Sequence, residues 1–382
     1  MKDGQPTARQ AQVRRLRALF RKEFRQVVRD PSSILIAFVL PAILLFLFGY
    51  GVSLDLTHVK VGLVIEDSTP EVQSFVKSFA NSRYFDVLIA RDRRVFERDL
   101  ALGNIRAIID IPSDFSRLTN RVEGFAPIQV ITDGSEPNTA NLVGGYVQGA
   151  FQAWLNQQAL DQGASFKPLV DIQPRVWFNE ELESRNFLVP GSMATIMAVI
   201  GTLLTALVIA REWERGTMEA LMATPVTISE LLIGKFVPYF VLGMGSMAVC
   251  VFIAVVAFAV PFRGSYFVLA LVTAAFLWAA LGMGLLISTV GKTQFVASQA
   301  ALIASFLPAF ILSGFVFDIA SMPWPIRMLT YALPARYFVS CLQTLFLAGN
   351  IWALIWPNVL AMLCFGLAYF AFTWLKSVKR LD

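Results

Sequence analysis

Six stretches of this 382-residue chain contain no Asp, Glu, Lys or Arg, and each is long enough to cross a bilayer. Five run from Pro31 to Leu54, Leu188 to Ala210, Phe236 to Phe262, Gly264 to Gly291 and Thr293 to Phe317; the sixth lies in the last part of Tyr337 to Leu375. About 20 apolar residues in a helix span the hydrocarbon core. A helix satisfies its own backbone polar groups there, and an open strand does not. The expectation is therefore a polytopic α-helical membrane protein with six transmembrane helices. Composition agrees, with 56% hydrophobic and 15% charged residues, against about 25% charged in a soluble domain.

The net charge of +5 hides two opposed regions. Residues 55–187 carry 13 Lys and Arg against 18 Asp and Glu, so the remainder of the chain is strongly basic. With both termini in the cytoplasm, 16 of the 19 basic residues outside that region fall on the inner side, and only Arg263, Arg327 and Arg336 fall outside. This is the orientation that the positive-inside rule prefers. It also accounts for the basic excess without a nucleic-acid partner.

Between the spans the pattern changes. Residues 8–30 are basic, yet Val13, Leu16, Phe20, Phe24 and Val27 recur at helical spacing, which predicts an amphipathic helix lying on the inner membrane surface. Asp30-Pro31 ends it, and no A-x-A site marks a cleaved signal peptide. In the region 55–187, VGLVI (61–65), FDVLIA (85–90), IRAIIDI (105–111) and PIQVIT (127–132) read as strands. Helical segments follow Thr69, Arg91 and Ser113. This alternation predicts an inserted α/β extracytoplasmic domain, closed by a helix over 139–162 in which Gly145 and Gly149 would admit a close neighbour. Residues 318–347 hold Pro323, Trp324, Pro325 and Pro334 among apolar neighbours, a composition that suits a re-entrant helical hairpin in the outer leaflet. Ala348-Gly349-Asn350 separates that hairpin from the last span, and residues 376–382 form a cytoplasmic tail.

Several chemistries are disfavoured. Cys250, Cys341 and Cys364 lie in apolar surroundings without ligand spacing and read as buried structural thiols. His58 has no Cys or His near it in the sequence, so a metal site or histidine-centred catalysis is not expected, and neither is a cofactor. The spans carry no ionisable residue of the kind that ion-driven transporters use. Gly291-Lys292-Thr293 ends like a P-loop, but the first glycine of G-x-x-x-x-G-K-[ST] is replaced by Leu286 and the string sits in a short turn between spans. The chain is not expected to be an enzyme.

What remains is the charged block Arg211 to Lys235. Gly216-Thr217 opens a short helix with Met218, Leu221 and Met222 on one face, Thr224-Pro225 ends it, and Thr227-x-x-Glu230 forms a capping box that starts the next span. The block resembles the cytoplasmic loop of the membrane subunits of ABC type-two exporters, above all multidrug-efflux permeases with a large domain after the first span. KEFRQVVRDP (22–31), DGSEPNTANLV (133–143) and the proline-containing stretch 307–338 extend the likeness over the whole chain.

The resemblance implies a permease subunit in the bacterial inner membrane that exports hydrophobic or amphipathic compounds such as drugs. Energy would come from a separate cytoplasmic ATP-binding subunit, where ATP and magnesium are expected. It implies a coupling site over 211–230, with Arg211, Glu212, Glu214, Arg215, Gly216, Thr217, Glu219 and Pro225 at the dock. It further implies an outer gate at 318–347, a contact from residues 8–30 to the ATPase, and a dimer with a second copy or a paralogue, open to a periplasmic adaptor. The alternative is a receptor or assembly scaffold whose α/β domain binds a ligand or an envelope protein.

Overall fold

The structure is a computed structural model that describes residues 8–51, 59–66, 69–80, 82, 84–113, 115, 128–132, 137–161, 178, 183–224, 226–291 and 293–376. The chain divides into two compact units, one of residues 54–175 and the other of the flanking segments 1–53 and 176–382.

The flanking segments form the helical unit. Helix α1 (Ala8–Arg29) precedes α2 (Pro31–Gly51), in which Leu35–Val39 winds as a π-turn. Asp30 caps α2 by accepting the backbone N–H of Ser32 at 3.2 Å, with Pro31 at the first helical position, where a missing N–H leaves nothing unpaired. The unit continues with α6 (Ser184–Glu214), the short α7 (Thr217–Met222), α8 (Ile228–Ala257), α9 (Tyr266–Gly291), α10 (Gln294–Ile311), α11 (Trp324–Thr330), α12 (Pro334–Leu347) and α13 (Trp352–Lys376). Six of these, α2, α6, α8, α9, α10 and α13, are long and apolar enough to cross a membrane.

Helix α6 is the centre of the bundle: 94% of its apolar window is buried, against 22% for α13. In lipid no hydrophobic force drives helices together, so packing at small residues and hydrogen bonds between helices do. Both are present along α6. Gly284 of α9 lies so close to Thr202 and Thr205 that a methyl group there would collide with the backbone of α6. Thr205 donates to the Leu281 carbonyl at 2.9 Å, and Ser288 Oγ accepts the N–H groups of Ile209 and Ala210 at 3.0 and 2.9 Å. Phe276 and Phe338 stack 4.0 Å apart and join α9 to α12.

The second unit holds a four-stranded sheet in the order β2-β1-β3-β4, where β1 is Val59–Ile65, β2 Phe85–Ala90, β3 Ala107–Ile111 and β4 Gln129–Thr132. β1 runs parallel to β2 and β3, with Val61 opposite Val87 and Leu63 opposite Ile109; β4 is antiparallel to β3. Parallel neighbours need crossover connections, supplied here by α3 (Pro70–Ala80) and α4 (Arg94–Ala101). One face packs on Phe75, Phe79 and Phe115 and on Val143, Val147 and Trp154 of α5 (Pro137–Asp161). The other packs on Phe96, whose ring lies over Gly62 where any side chain would clash.

Three expectations change. The apolar stripe of α1 is split between two faces: Val27 is buried with Leu19, while Phe24 is half exposed. Gly145 and Gly149 have no close helix beside them among the described residues, so the room they leave is unfilled there. Cys250 and Cys341 are buried, but Cys364 is exposed on α13. His58, the segment after Ser113 through residue 127 apart from Phe115, and the 376–382 tail beyond Lys376 lie outside the described residues.

Candidate functional site

The charged block folds as a bent bracket between α6 and α8. α6 ends because Gly216 takes a left-handed backbone with φ +67°, the usual way a helix stops at a glycine. α7 follows at once, and Met218 on it is buried. The capping box then forms as the sequence spacing indicates: Glu230 N–H donates to Thr227 Oγ1 at 3.2 Å, and Thr227 N–H donates to the Glu230 carboxylate at 2.9 Å.

Buried charge holds this bracket. Lys235 is 1% exposed, and its ammonium donates to Glu23 Oε1 at 3.2 Å and to Glu212 Oε1 at 3.1 Å. Lys22 donates to the same two carboxylates at 3.2 and 3.1 Å, and Thr217 donates to the other oxygen of Glu212. Two ammonium groups and two carboxylates thus form a neutral cluster that joins α1, α6, α7 and α8. Burial works against the charged form of Lys22, but Glu23 and Glu212 outweigh it and raise the lysine above its ordinary value. Buried ions are tolerated only when paired and hydrogen-bonded in this way.

Two further contacts flank the cluster. Arg211 pairs with Asp30 at 2.6 Å and reaches Gln294 Oε1 at 3.4 Å, and Gln294 in turn donates to Glu214. Partial burial opposes the ionised form of Asp30, yet hydrogen bonds from Ser32, Arg211 and Ser33 hold its carboxyl well below the usual range. On the other side, Arg15 pairs with Glu230 at 3.1 Å.

The residues expected at the dock therefore separate into two sets. Arg211 and Glu212 turn inward, so their charges are engaged inside the chain rather than offered to a partner. Glu214, Arg215, Gly216 and Thr217 are exposed. Glu219 lies on α7, and Pro225 falls outside the described residues. Sequence reasoning missed Glu23, because a single acid in a basic helix reads as solvated; Lys235 was visible only as one more positive residue.

At the 318–347 stretch, Pro323 and Pro325 bracket the start of α11 and Trp324 is 71% exposed, while Pro334 is buried at the first turn of α12. The turn between them is fastened by Arg336, which lies 3.7 Å from the centre of the Tyr331 ring and donates to the Thr330 hydroxyl. Tyr337 also donates to the Tyr331 carbonyl at 2.8 Å.

Six apolar helices, a nearly uncharged interior and a charged bracket built from helix ends define a polytopic membrane transport subunit. The chain belongs to the ABC-2 family of transporter proteins, whose profile matches residues 31–375. It is thus the permease subunit of an ABC transporter, which implies a lipid bilayer around it and an ATP-binding subunit beside it. It is 51% identical to the probable multidrug ABC transporter permease YbhS of Escherichia coli strain K12, over 97% of this chain and 98% of that one. The probable multidrug ABC transporter permease YbhR of the same strain is 28% identical, over 94% and 97%. The inner membrane transport permease YhhJ is 28% identical, over 74% and 75%.

Proposed function

We propose that this chain exports hydrophobic or amphipathic compounds of the drug type across a bacterial inner membrane, driven by ATP-binding subunits that dock on α7. The single observation that carries the docking is the bracket itself. A short helix on which Thr217 and Ala220 are exposed stands on a base of buried ion pairs, so a push on α7 reaches α1, α6 and α8 together. Glu214 and Arg215 offer the polar contacts, Thr217 ties α7 to Glu212 at the edge of the dock, Gly216 gives the turn, and Glu219 and Pro225 belong to the same dock. Arg211 and Glu212 act behind them as positioning residues.

Both termini lie in the cytoplasm in this reading, and the 54–175 unit lies outside. The α11–α12 stretch with Pro323, Trp324, Pro325 and Pro334 re-enters the outer leaflet as a gate. ATP and magnesium are held by the partner. The pump is a dimer of this chain with itself or a paralogue, with room for a periplasmic adaptor. The word multidrug in the names of two relatives supports the cargo class, and the basic excess outside residues 55–187 supports the orientation.

The test is co-purification with the ATP-binding subunit and ATP-driven drug efflux from inverted vesicles, measured for Glu214→Arg and Gly216→Pro. Loss of either subunit binding or efflux is expected. If both survive unchanged, the dock is elsewhere.

A further inference from the structure

We propose that the groove between α1 and α8 binds one anionic glycerophospholipid. Arg17, Phe20, Arg21 and Phe24 line it from α1, with Val237 and Val241 from α8, around a volume of about 510 Å³. The four α1 residues stand at i, i+3, i+4 and i+7, which places them on one helix face. An adjoining side of α1, with Leu19, Glu23 and Val27, is buried against the bundle.

The charges of α1 divide in the same way. Arg15 and Lys22 are committed to carboxylates of this chain. Arg17 and Arg21 carry no ion pair among the described residues, and both are exposed. Beside them Phe24, Val237 and Val241 are 51%, 37% and 53% exposed, an apolar strip that continues along a spanning helix. A phosphate between two guanidinium groups, with an acyl chain on that strip, matches both halves of the groove. The strip has no use for a free phosphate, so the lipid is the occupant. This site rests on the membrane assignment alone and stands or falls independently of the dock on α7.

The full-length chain in a mild non-ionic detergent is given equal amounts of dioleoylphosphatidylglycerol and dioleoylphosphatidylcholine and weighed by native mass spectrometry. One phosphatidylglycerol is expected to be retained in preference. The Arg17→Gln/Arg21→Gln variant should lose that preference roughly 30-fold, as two surface cations near anionic lipid would give. Arg25→Gln/Arg29→Gln removes the same charge away from the groove and should leave the preference in place. Val241→Trp fills the apolar strip without touching charge and should also displace the lipid, and it decides the matter if the double arginine variant does not elute as a single species. The proposal is overturned by equal retention of the two lipids. It is also overturned by a preference that survives both groove variants, by an equal loss in the Arg25/Arg29 control, or by displacement with excess inorganic phosphate.

Discussion

Lys235 Nζ and Glu23 Oε1 stand 3.2 Å apart, with each side chain 1% exposed, although 212 residues separate them in the chain. This pair fastens α1 to the start of α8, one of the six helices long and apolar enough to cross a membrane. Replacing Lys235 by Met leaves two buried carboxylates, Glu23 and Glu212, facing each other with only the partly exposed Lys22 between them. The expected cost is about 3–5 kcal/mol, the range for a broken buried ion pair. Thermal unfolding of the purified chain should show it, and Glu23→Gln combined with Lys235→Met should cost less than the sum of the two single changes. Strict additivity would mean that the two residues do not interact.

Gly216 has φ +67° with open space where a side chain would go. The strain of a substitution is therefore in the backbone alone. Gly216→Ala should destabilise by about 1–2 kcal/mol, and Gly216→Asn by less, since Asn visits this conformation more readily. Equal costs for Ala and Asn, measured by denaturant unfolding, would argue against the left-handed turn.

Between α6 and α9 the contact is steric and tight. Gly284→Val forces the helices apart against Thr202 and Thr205, and a loss of several kcal/mol or failure to accumulate in the membrane is expected. Thr205→Val removes the hydroxyl's bonds to the carbonyls of Leu281 and, within α6, of Gly201, and should cost about 0.6 kcal/mol. Expression level and melting temperature separate the two outcomes, and a well-behaved Gly284→Val protein would contradict the close approach.

The polar contacts also set a pH profile. Asp30 is held below its ordinary value of about 3.9, so its contribution is complete above that pH and is lost as pH falls through the depressed folded value. Lys22 is held above its ordinary value of about 10.4. Its contribution is complete below that pH and is lost as pH rises through the elevated folded value. Asp30→Asn should flatten the acid limb alone and Lys22→Met the alkaline limb alone, read from melting temperature against pH.

The spans were legible in the sequence because an uncharged run of that length has few other ways to be stable. The strands of residues 59–132 were legible for a related reason: FDVLIA and VGLVI carry β-branched and apolar residues between turn signals, and the observed β1 and β2 contain them. The face of α1 was not legible. Helical periodicity groups Phe20, Phe24 and Val27 in one stripe, but what divides them is Gly234 on α8, which lets Leu19 approach closely and draws that side of the helix into the bundle. Glu23 was hidden for the same kind of reason, since its partner belongs to a distant segment. Cys364 looked buried because lipid-facing and core positions share one apolar composition.

Helix α6 runs without interruption from Ser184 to Glu214, about 46 Å at 1.5 Å per residue. Near one end Glu212 sits in the ion cluster, and near the other Gly191 lies against Phe315, close enough to exclude any side chain. The helix is stiff along its axis, with one backbone bond missing at Pro190, which cannot donate. The ion cluster and the Phe315 contact are therefore tied at one fixed spacing by a single helix.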